Sequence, residues 1–153
     1  MAASQYIVII LGNQEFALEI SNVGSINEYQ KITLLPNAPE FIEGVIHLRG
    51  DIIPIVNLSK RFNIESTKKL SERRIIAVEV EGKLIGFLVD DASQAITVDS
   101  EEIKDTPSIV KDIDGDYIDG VCKLPDKILL LVNLVKVLNH TQIEKIKELD
   151  LEV

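Results

Sequence analysis

Aromatic residues and cysteine are scarce in this chain of 153 residues, and both shortages restrict what it can be. Tryptophan is absent and aromatic residues make up 5%, so the core must be built from Ile, Leu and Val, a composition that favours strands. The single cysteine, Cys122, excludes an intrachain disulfide, which fits a reducing cytoplasm. Its apolar neighbours Val121 and Leu124 predict a buried thiol rather than a reactive one.

Residues that could carry chemistry are also few. His47 and His140 are the only histidines, and neither is accompanied by Cys or carboxylate residues at metal-ligand spacing. The acidic run at 112–119 fails as a calcium loop, because Tyr117 stands where the turn glycine belongs and Lys123 where the bidentate Glu belongs. The sequence contains no nucleophile elbow, phosphate loop or dinucleotide fingerprint. It therefore predicts no catalytic site, no cofactor and no metal site.

The charge balance limits the partners. The chain has 16 basic and 25 acidic side chains, a formal net charge of -9, which repels phosphate backbones and excludes nucleic-acid binding. The N-terminal apolar run, 6–11, has no basic residues before it and is too short for a signal peptide or a membrane span. We expect a soluble, cytosolic protein with no direct membrane insertion.

A nineteen-residue stretch occurs twice. The sequence GVIHLRGDIIPIVNLSKRF at 44–62 returns as GVCKLPDKILLLVNLVKVL at 120–138, a constant offset of 76 (120 − 44). Eight positions are identical: Gly44/Gly120, Val45/Val121, Leu48/Leu124, Ile52/Ile128, Val56/Val132, Asn57/Asn133, Leu58/Leu134 and Lys60/Lys136. The chain is therefore predicted to contain two copies of one small β unit, with two similar docking surfaces.

Short apolar runs separated by turn residues predict strands. The run 6–11, the pair Gly12-Asn13 and the run 16–20 indicate a hairpin, and the same pattern returns around Gly82, an offset of 70 (82 − 12). Pro54 in the first repeat indicates an edge strand or a bulge, whereas Leu130 in the second allows pairing on both sides. Together these runs predict an all-β barrel architecture.

Two further segments lie outside the repeats. The polar stretch 63–74 is the best candidate for a linker between the two units. Near the C-terminus, Thr141 and Glu144 fit a capping box, and Ile143, Ile146 and Leu149 share one helical face. We expect a short amphipathic helix at 141–150 that packs against the strands.

Arg49 lies on the predicted turn of the first repeat, and two interpretations stay open. It can be a solvated turn residue that pairs locally with Glu43 or Asp51. Alternatively, an arginine beside Gly50 on an exposed rim can make bidentate contacts to a carboxylate of a partner protein.

The first repeat resembles the signature of the CheW family, the coupling proteins of bacterial chemotaxis, which reads roughly G-V-I-N-L-R-G, two or three apolar residues and P-V-V-D-L. The upstream LLPNAPEFIEG at 34–44 is similar to the family's "LP.AP..I.G" element, and IGFLVD at 85–90 to its "VG..VD" element. The late run 128–134 resembles its closing "LL.LD" strand. The likeness is collinear over nearly the whole chain.

The resemblance implies a single domain at 1–153 made of two SH3-like five-stranded β-barrels packed on a shared apolar core. Approximate barrel bounds are 14–74 and 75–140, and the N-terminal strand at 5–12 can cross to the second barrel. The implied function is non-enzymatic. Such a protein joins the cytoplasmic tip of methyl-accepting chemoreceptors to the regulatory domain of the histidine kinase CheA. It would be cytoplasmic and recruited to membrane receptor complexes.

The same resemblance assigns roles to individual residues. Receptor-binding positions of the family match Val23, Ile26, Gly44, Arg49, Gly50 and Ile75. Positions linked to kinase binding match Gly86 and Gly120. The chain departs from the pattern at Ser25, where many members have Glu, which puts a charged contact there in doubt. Asn57 replaces a common Asp and His47 a common Asn, as structural variation near turns.

Two alternatives remain at this point. A regulatory barrel could sense a small molecule in the groove between its halves, although few convergent polar groups are visible. The same domain could also work within a larger receptor-adaptor or kinase architecture, although the chain has no room for a receiver or ATP-binding domain.

Overall fold

Two sheets make up most of the chain. The computed structural model describes residues 3–105, 117–138 and 140–147. The strands are β1 (Ala3–Leu11), β2 (Gln14–Glu19), β3 (Ser25–Glu28), β4 (Ile42–Leu48), β5 (Asp51–Asn57), β6 (Arg74–Val80), β7 (Lys83–Val89), β8 (Asp91–Asp99), β9 (Ile103–Lys104), β10 (Ile118–Lys123) and β11 (Ile128–Val132). The α-helices are α1 (Leu58–Phe62), α2 (Leu134–Val137) and α3 (His140–Lys147), and short 3-10 helices lie at Ile20–Asn22, Leu70–Glu72 and Ser100–Glu102.

The sequence repeat is also a structural repeat. Each copy is an antiparallel hairpin followed by a short helix: β4, β5 and α1 in the first, β10, β11 and α2 in the second. Ile42 pairs with Val56, and 76 residues later Ile118 pairs with Val132. In both hairpins the register shifts just before the repeated glycine, Gly44 or Gly120, which indicates a β-bulge. The prediction of two copies of one β unit is confirmed.

The two sheets also have corresponding strand orders. The six-stranded sheet runs β8-β1-β2-β11-β10-β9 and the five-stranded sheet runs β3-β6-β7-β5-β4. The isolated bridge from Thr33 to Val45 occupies the place that the pairing of Lys104 with Val121 has in the other sheet. Each sheet therefore contains the same arrangement of one hairpin beside one repeat.

The N-terminal hairpin belongs to the six-stranded sheet. β1 pairs with β2 and β8, and β2 pairs in parallel with β11 of the second repeat. The five-stranded sheet is instead continuous in sequence, from β3 to β7. The segments 14–74 and 75–140 consequently each contribute strands to both sheets.

The predicted hairpins at the two sheet centres are confirmed, but their alignment differs by one residue from the sequence pattern. Leu11 pairs with Gln14 and Val80 with Lys83, so the hairpins are 69 residues apart (80 − 11), not 70. The turn position of Gly12, at φ 61, is thus taken by Glu81, at φ 49, rather than by Gly82. The offset of 70 came from aligning Gly12 with Gly82, which occupy different turn positions. A two-residue turn of this kind accepts glycine at either central position.

Of the two expectations for Pro54, the edge strand is wrong, whereas a bulge does lie beside it, where the register of β4 and β5 shifts between Ile42 and Gly44. β5 lies between β4 and β7, and β11 is likewise paired on both sides. Parallel pairing of β5 begins at Ile55, opposite Gly86, whereas that of β11 begins at Leu130, opposite Phe16. Leu130 is the residue equivalent to Pro54. The proline, which has no N–H to donate, moves the start of the parallel ladder by one residue instead of abolishing the ladder.

Apolar clusters cover both faces of each sheet. A central cluster lies between the sheets and includes Ile9, Leu18, Val78 and Phe87. A second cluster, around Leu129, packs on the six-stranded sheet, and a third packs on the five-stranded sheet. The third contains Ile46, Leu48, Ile53, Ile55, Ile75, Ala77 and Leu88. The shared apolar core is therefore present, although neither sheet closes into a barrel within the described residues.

The C-terminal helix packs as predicted over the part that the structure describes. Ile143 and Ile146 of α3 are buried in the central cluster. Leu149 and the acidic residues at 112–116 lie outside the described residues. Cys122 is fully buried, which confirms the prediction, and burial raises the pKa of its thiol. Within the described residues no helix is long and apolar enough to cross a membrane.

Aromatic stacking and a buried carboxylate connect the two sheets. Phe62, at the end of α1, stacks on Tyr117 with ring centroids 4.9 Å apart and lies 5.6 Å from the ring of Phe16 in β2. Asp90, between β7 and β8, is buried, and its carboxylate accepts hydrogen bonds from the N–H of Gly12 and the hydroxyl of Ser66. The predicted linker at 63–74 is thereby attached to the junction of the two sheets.

Candidate protein-docking site

The turn of the first repeat exposes Arg49, whose backbone has a positive φ that residues with a side chain rarely adopt. Arg49 has φ 51 and Gly50 has φ 89, the pattern of a type I′ hairpin turn. Leu48 and Asp51 close this turn as the last pair of β4 and β5. The second repeat has Pro125 in place of Arg49, and proline cannot adopt a positive φ. The exposed arginine turn is therefore a feature of the first repeat.

Local ion pairing does not explain Arg49. Within the described residues the side chain of Arg49 has no hydrogen bond or ion pair, including none with Asp51 or Glu43. Glu43 is held by other groups, since one of its carboxylate oxygens lies 2.8 Å from Nζ of Lys60 and 2.7 Å from Nδ2 of Asn57. The arginine is thus available to a partner protein.

The carboxylate of Glu43 is stabilised in its charged form. Burial by itself would raise its pKa, but hydrogen bonds from Lys60 and Asn57, with the charges of Lys60 and Arg73, outweigh burial and lower the pKa. Asn57 also caps α1, because its side-chain oxygen accepts a hydrogen bond from the N–H of Lys60. Its counterpart Asn133 caps α2 through the N–H of Val135, which is one position earlier in the helix. The Asn that replaces the common Asp therefore has a structural role in both repeats.

The edge strand β3 presents a second part of the predicted receptor site. Ile26 is 40% exposed, a large fraction for an isoleucine in a strand, and its edge away from β6 has no strand partner in the described residues. Val23 is half-buried and packs against the central cluster. Ser25 accepts a hydrogen bond from the side-chain amide of Asn27, so no charge replaces the glutamate that many family members have.

The remaining predicted residues lie inside the fold. Ile75 is fully buried in the third cluster, so it supports the neighbouring β3 rather than presenting a surface. Gly86 is packed tightly, and a Cβ added there would lie 2.6 Å from Cδ1 of Ile55. Gly44 and Gly120 are both buried at bulges. At Gly44 an added Cβ would overlap the carbonyl oxygen of Thr33, which bridges to β4. The structure thus places Arg49 and Gly50 together on the surface, whereas Gly44, Gly86 and Gly120 are buried and serve packing.

Sequence reasoning missed the two most exposed large apolar residues of the described chain. Leu34 is 78% exposed in the segment before β4, and Ile128 is 62% exposed at the start of β11. Ile128 borders a cavity of about 370 Å³ that is also lined by Leu130 and by the ion pair of Glu15 with Lys127, whose charged atoms are 3.0 Å apart. The repeat offered a signal for Ile128, because its equivalent Ile52 follows the exposed turn of the first copy.

The described residues give no support to a small-molecule sensor. The cavity beside Ile128 is open to solvent and near the lower limit of ligand pockets, about 300 Å³. The part of the chain that the structure describes also contains no group of three His, Cys, Asp or Glu residues able to hold a metal ion. The exposed features are turns, an edge strand and apolar side chains, which suit contacts with proteins.

Comparison with known proteins agrees with this picture. The family model of the CheW-like domain matches residues 5–142. A probable chemotaxis protein CheW from Rhizobium etli is 31% identical over 140 residues, covering 92% of this chain and 90% of that protein. The chemotaxis protein CheW of Bacillus subtilis is 34% identical over 133 residues, covering 87% of this chain and 85% of that protein.

A solved structure agrees as well. The scaffolding protein TtCheW from Thermoanaerobacter tengcongensis superposes with a TM-score of 0.82 at 34% sequence identity, covering 93% of this chain and 92% of that one. The resemblance inferred from the first repeat is confirmed. By its fold, its repeat and its match over most of its length, the chain belongs to the CheW-like domain family.

Proposed function

We propose that this protein is a non-enzymatic adaptor of bacterial chemotaxis that joins chemoreceptors to the histidine kinase CheA. The observation that carries the proposal is the superposition, over 93% of the chain, on a protein described as a scaffold. Several relatives that match most of the chain are named chemotaxis protein CheW. The cytoplasmic tip of a methyl-accepting receptor and the regulatory domain of CheA are the proposed partners.

The proposed receptor contact uses the turn of the first repeat and the edge strand. Arg49 is exposed and has no partner within the described residues, so it can donate two hydrogen bonds to a carboxylate or a carbonyl group of the receptor. Ile26 adds exposed apolar surface. Gly44 and Ile75 would act indirectly, through the packing of the strands that carry this surface.

The proposed kinase contact depends on the structural similarity of the two sheets. We regard each sheet, with its own apolar cluster, as one SH3-like unit, because both have the same arrangement of hairpin, repeat and edge segment. A duplicated unit can engage two partners at once, one on each half. Gly86 and Gly120 would support such surfaces from inside, since both are buried.

Signalling through such an adaptor requires no chemical step. Receptor and kinase would be held in one cytoplasmic complex recruited to the membrane by the receptor. Differential contacts in the two signalling states would then shift the conformational population of the kinase.

Reconstitution tests the proposal. Purified protein is mixed with CheA and receptors in vesicles, and kinase autophosphorylation and co-sedimentation are measured. We expect the protein to change both, and Arg49→Ala or Ile26→Asp to reduce both. Lys123→Ala, an exposed residue in the hairpin of the second repeat, is the matched control and should behave like the unaltered protein. If the unaltered protein changes neither readout, the proposal is wrong.

A further inference from the structure

Within the described residues the chain passes between the two sheets at two places. Residues 20–24 lead from β2 of the six-stranded sheet to β3 of the five-stranded sheet, and Asp90 alone leads back from β7 to β8. Val89 ends β7 and Asp91 begins β8, so the second crossing is one residue long. A change in the angle between the sheets must therefore be absorbed in part by the backbone of Asp90, as at a hinge.

Hydrogen bonds hold this crossing in place. The N–H of Asp90 donates to the carbonyl oxygen of Ile10 in β1 over 2.9 Å. The carboxylate of Asp90 accepts from the N–H of Gly12, in the turn after β1, over 2.8 Å. It also accepts from the hydroxyl of Ser66 and, over 3.3 Å, from the N–H of Thr67. One residue is thus bound to a strand, a turn and the linker at 63–74.

The linker packs closely on the N-terminal hairpin. A Cβ added to Gly12 would lie 2.6 Å from the carbonyl oxygen of Glu65 and 2.9 Å from Cγ2 of Ile64. The linker begins after α1, which follows β5, and it ends at β6, so both of its ends are joined to the five-stranded sheet. It is therefore a part of one half of the molecule that is held against the other half, and Asp90 binds it there.

Apolar packing by itself does not fix the angle between the sheets. The central cluster between them consists mainly of Ile, Leu and Val, and attraction between apolar side chains has no preferred direction. Packed layers can slide past one another by small amounts. Hydrogen bonds instead require a donor and an acceptor at a defined distance and angle, so the carboxylate of Asp90 restricts such sliding.

We propose that Asp90 is a positioning residue of the adaptor, whose carboxylate fixes the angle between the sheets so that a change at the receptor contact reaches the kinase contact. This inference rests on the proposed function. Arg49 and Ile26, of the proposed receptor contact, belong to the five-stranded sheet, and a kinase bound to the other half would contact the six-stranded sheet. Asp90 is buried, so it acts through the arrangement of the sheets and touches neither partner.

Spin labels measure the arrangement of the sheets directly. They are attached at Glu79→Cys in β6 and Thr97→Cys in β8, which are exposed positions on different sheets, whereas the native Cys122 is buried. We expect a broader distribution of label-to-label distances in Asp90→Ala and in Ser66→Ala than in the protein with the labels alone. Ser66→Thr retains the hydroxyl and should give a distribution close to that of the labelled protein.

Binding and kinase control are then measured separately in unlabelled protein. Titration calorimetry gives the affinities for CheA and for a soluble fragment of a chemoreceptor tip. Control is the ratio of CheA autophosphorylation with and without receptors in vesicles. We expect Asp90→Ala and Ser66→Ala to bind each partner within about twofold of the unaltered protein but to reduce control about two- to tenfold, as for a residue that modulates coupling from outside both binding sites.

Ile53→Val is the control for lost stability alone. Ile53 is buried in the third cluster, on the five-stranded sheet, and does not belong to the cluster between the sheets. This variant should give a normal distance distribution and normal kinase control. Circular dichroism and thermal unfolding verify that each variant is folded, and Ser66→Ala with Ser66→Thr preserves the test if Asp90→Ala unfolds.

The possible failures are distinguishable. If Asp90→Ala and Ser66→Ala leave the distance distribution unchanged, or if control is normal despite a broader distribution, the inference is wrong and the adaptor function stands. Equal broadening in Ile53→Val also overturns the inference, because lost stability would then suffice. If the unaltered protein binds neither the receptor fragment nor CheA, the proposed function fails, and the coupling role of Asp90 fails with it.

Discussion

The N–H of Gly12 donates a hydrogen bond to Oδ2 of Asp90 over 2.8 Å, and this bond attaches the N-terminal hairpin to the residue that connects the two sheets. The same carboxylate accepts hydrogen bonds from the hydroxyl of Ser66 over 2.5 Å and from the N–H of Thr67 over 3.3 Å. Asp90 is 1% exposed, so its loss would leave buried donors without an acceptor.

Asp90→Asn is therefore expected to lower the free energy of unfolding by about 1–3 kcal/mol, because the amide group replaces one acceptor oxygen with a donor. Urea unfolding followed by circular dichroism measures the change. Asp105→Asn, at an exposed position, is the control and should stay within about 0.5 kcal/mol. An Asp90→Asn variant as stable as the unaltered protein would show that the carboxylate does not hold the junction together.

Arg49→Gly should separate stability from docking. A residue with a Cβ in the left-handed region costs about 1–2 kcal/mol, and replacement by glycine removes this strain from the folded state. The greater freedom of glycine in the unfolded chain offsets part of the stabilisation. We expect the variant to be as stable as the unaltered protein or up to about 1 kcal/mol more stable, yet to bind receptor more weakly.

Arg49→Ala keeps the same backbone strain, so it should have unchanged stability and the same binding defect. Chemical unfolding and receptor co-sedimentation are measured on both variants. Marked destabilisation of both would assign Arg49 a structural role and contradict the docking interpretation.

Gly44 and Gly120 are equivalent in the repeat, but their surroundings predict unequal effects of alanine. At Gly44 the added Cβ would overlap the carbonyl oxygen of Thr33, whereas at Gly120 the closest atom, the carbonyl oxygen of Lys104, would be 3.1 Å away. Gly44→Ala should cost about 1–3 kcal/mol and Gly120→Ala under about 1 kcal/mol.

Thermal unfolding of the two variants checks this difference. Gly50→Ala serves as the third member of the set, because it adds a Cβ in open space but at a positive φ. A larger loss for Gly120→Ala than for Gly44→Ala would be inconsistent with the packing seen at the two bulges.

The lowered pKa of Glu43 should make the stability of the fold sensitive to acid. Its pKa in the folded chain is below the usual value of 4.5, so the folded state binds this proton less readily than the unfolded state. Its contribution to stability is present above about pH 4.5 and is lost as the pH falls through the lowered pKa.

Unfolding free energies of the unaltered protein and Glu43→Gln should therefore differ most at neutral pH and converge at low pH. Urea unfolding between pH 3 and pH 7 tests this, with Glu101→Gln, at an exposed position, as the control. A difference that is constant over this range would exclude Glu43 as the titrating group.

Local features of the fold were readable from the sequence. The repeat at 44–62 and 120–138 predicted two equivalent hairpins, and the glycines, the capping asparagines and the strand pairs indeed coincide 76 residues apart. These features depend on residues close together in the chain, through turn chemistry, helix capping and alternation of apolar residues.

Non-local pairing was not readable. Nothing in β1 specifies that it lies beside β8, and Pro54 gave the wrong expectation because a proline can sit at the last residue before a parallel ladder begins. Ile75 was expected at the receptor site. The sequence around it did not reveal that β6 is covered by apolar clusters on both faces, which buries Ile75. The exposed turn at Arg49 and Gly50 was predicted from the sequence and is present in the structure, whereas its role in binding stays a prediction.

The place of the N-terminal hairpin has a consequence for biosynthesis. A ribosome has released all strands of the five-stranded sheet once residue 89 has emerged, so that sheet can assemble early. β1 and β2, although translated before the other described strands, must wait for β11, which ends at Val132. Until then their apolar residues are exposed to chaperones and to other nascent chains, and the closing step pairs strands that are 114 residues apart in the sequence (130 − 16).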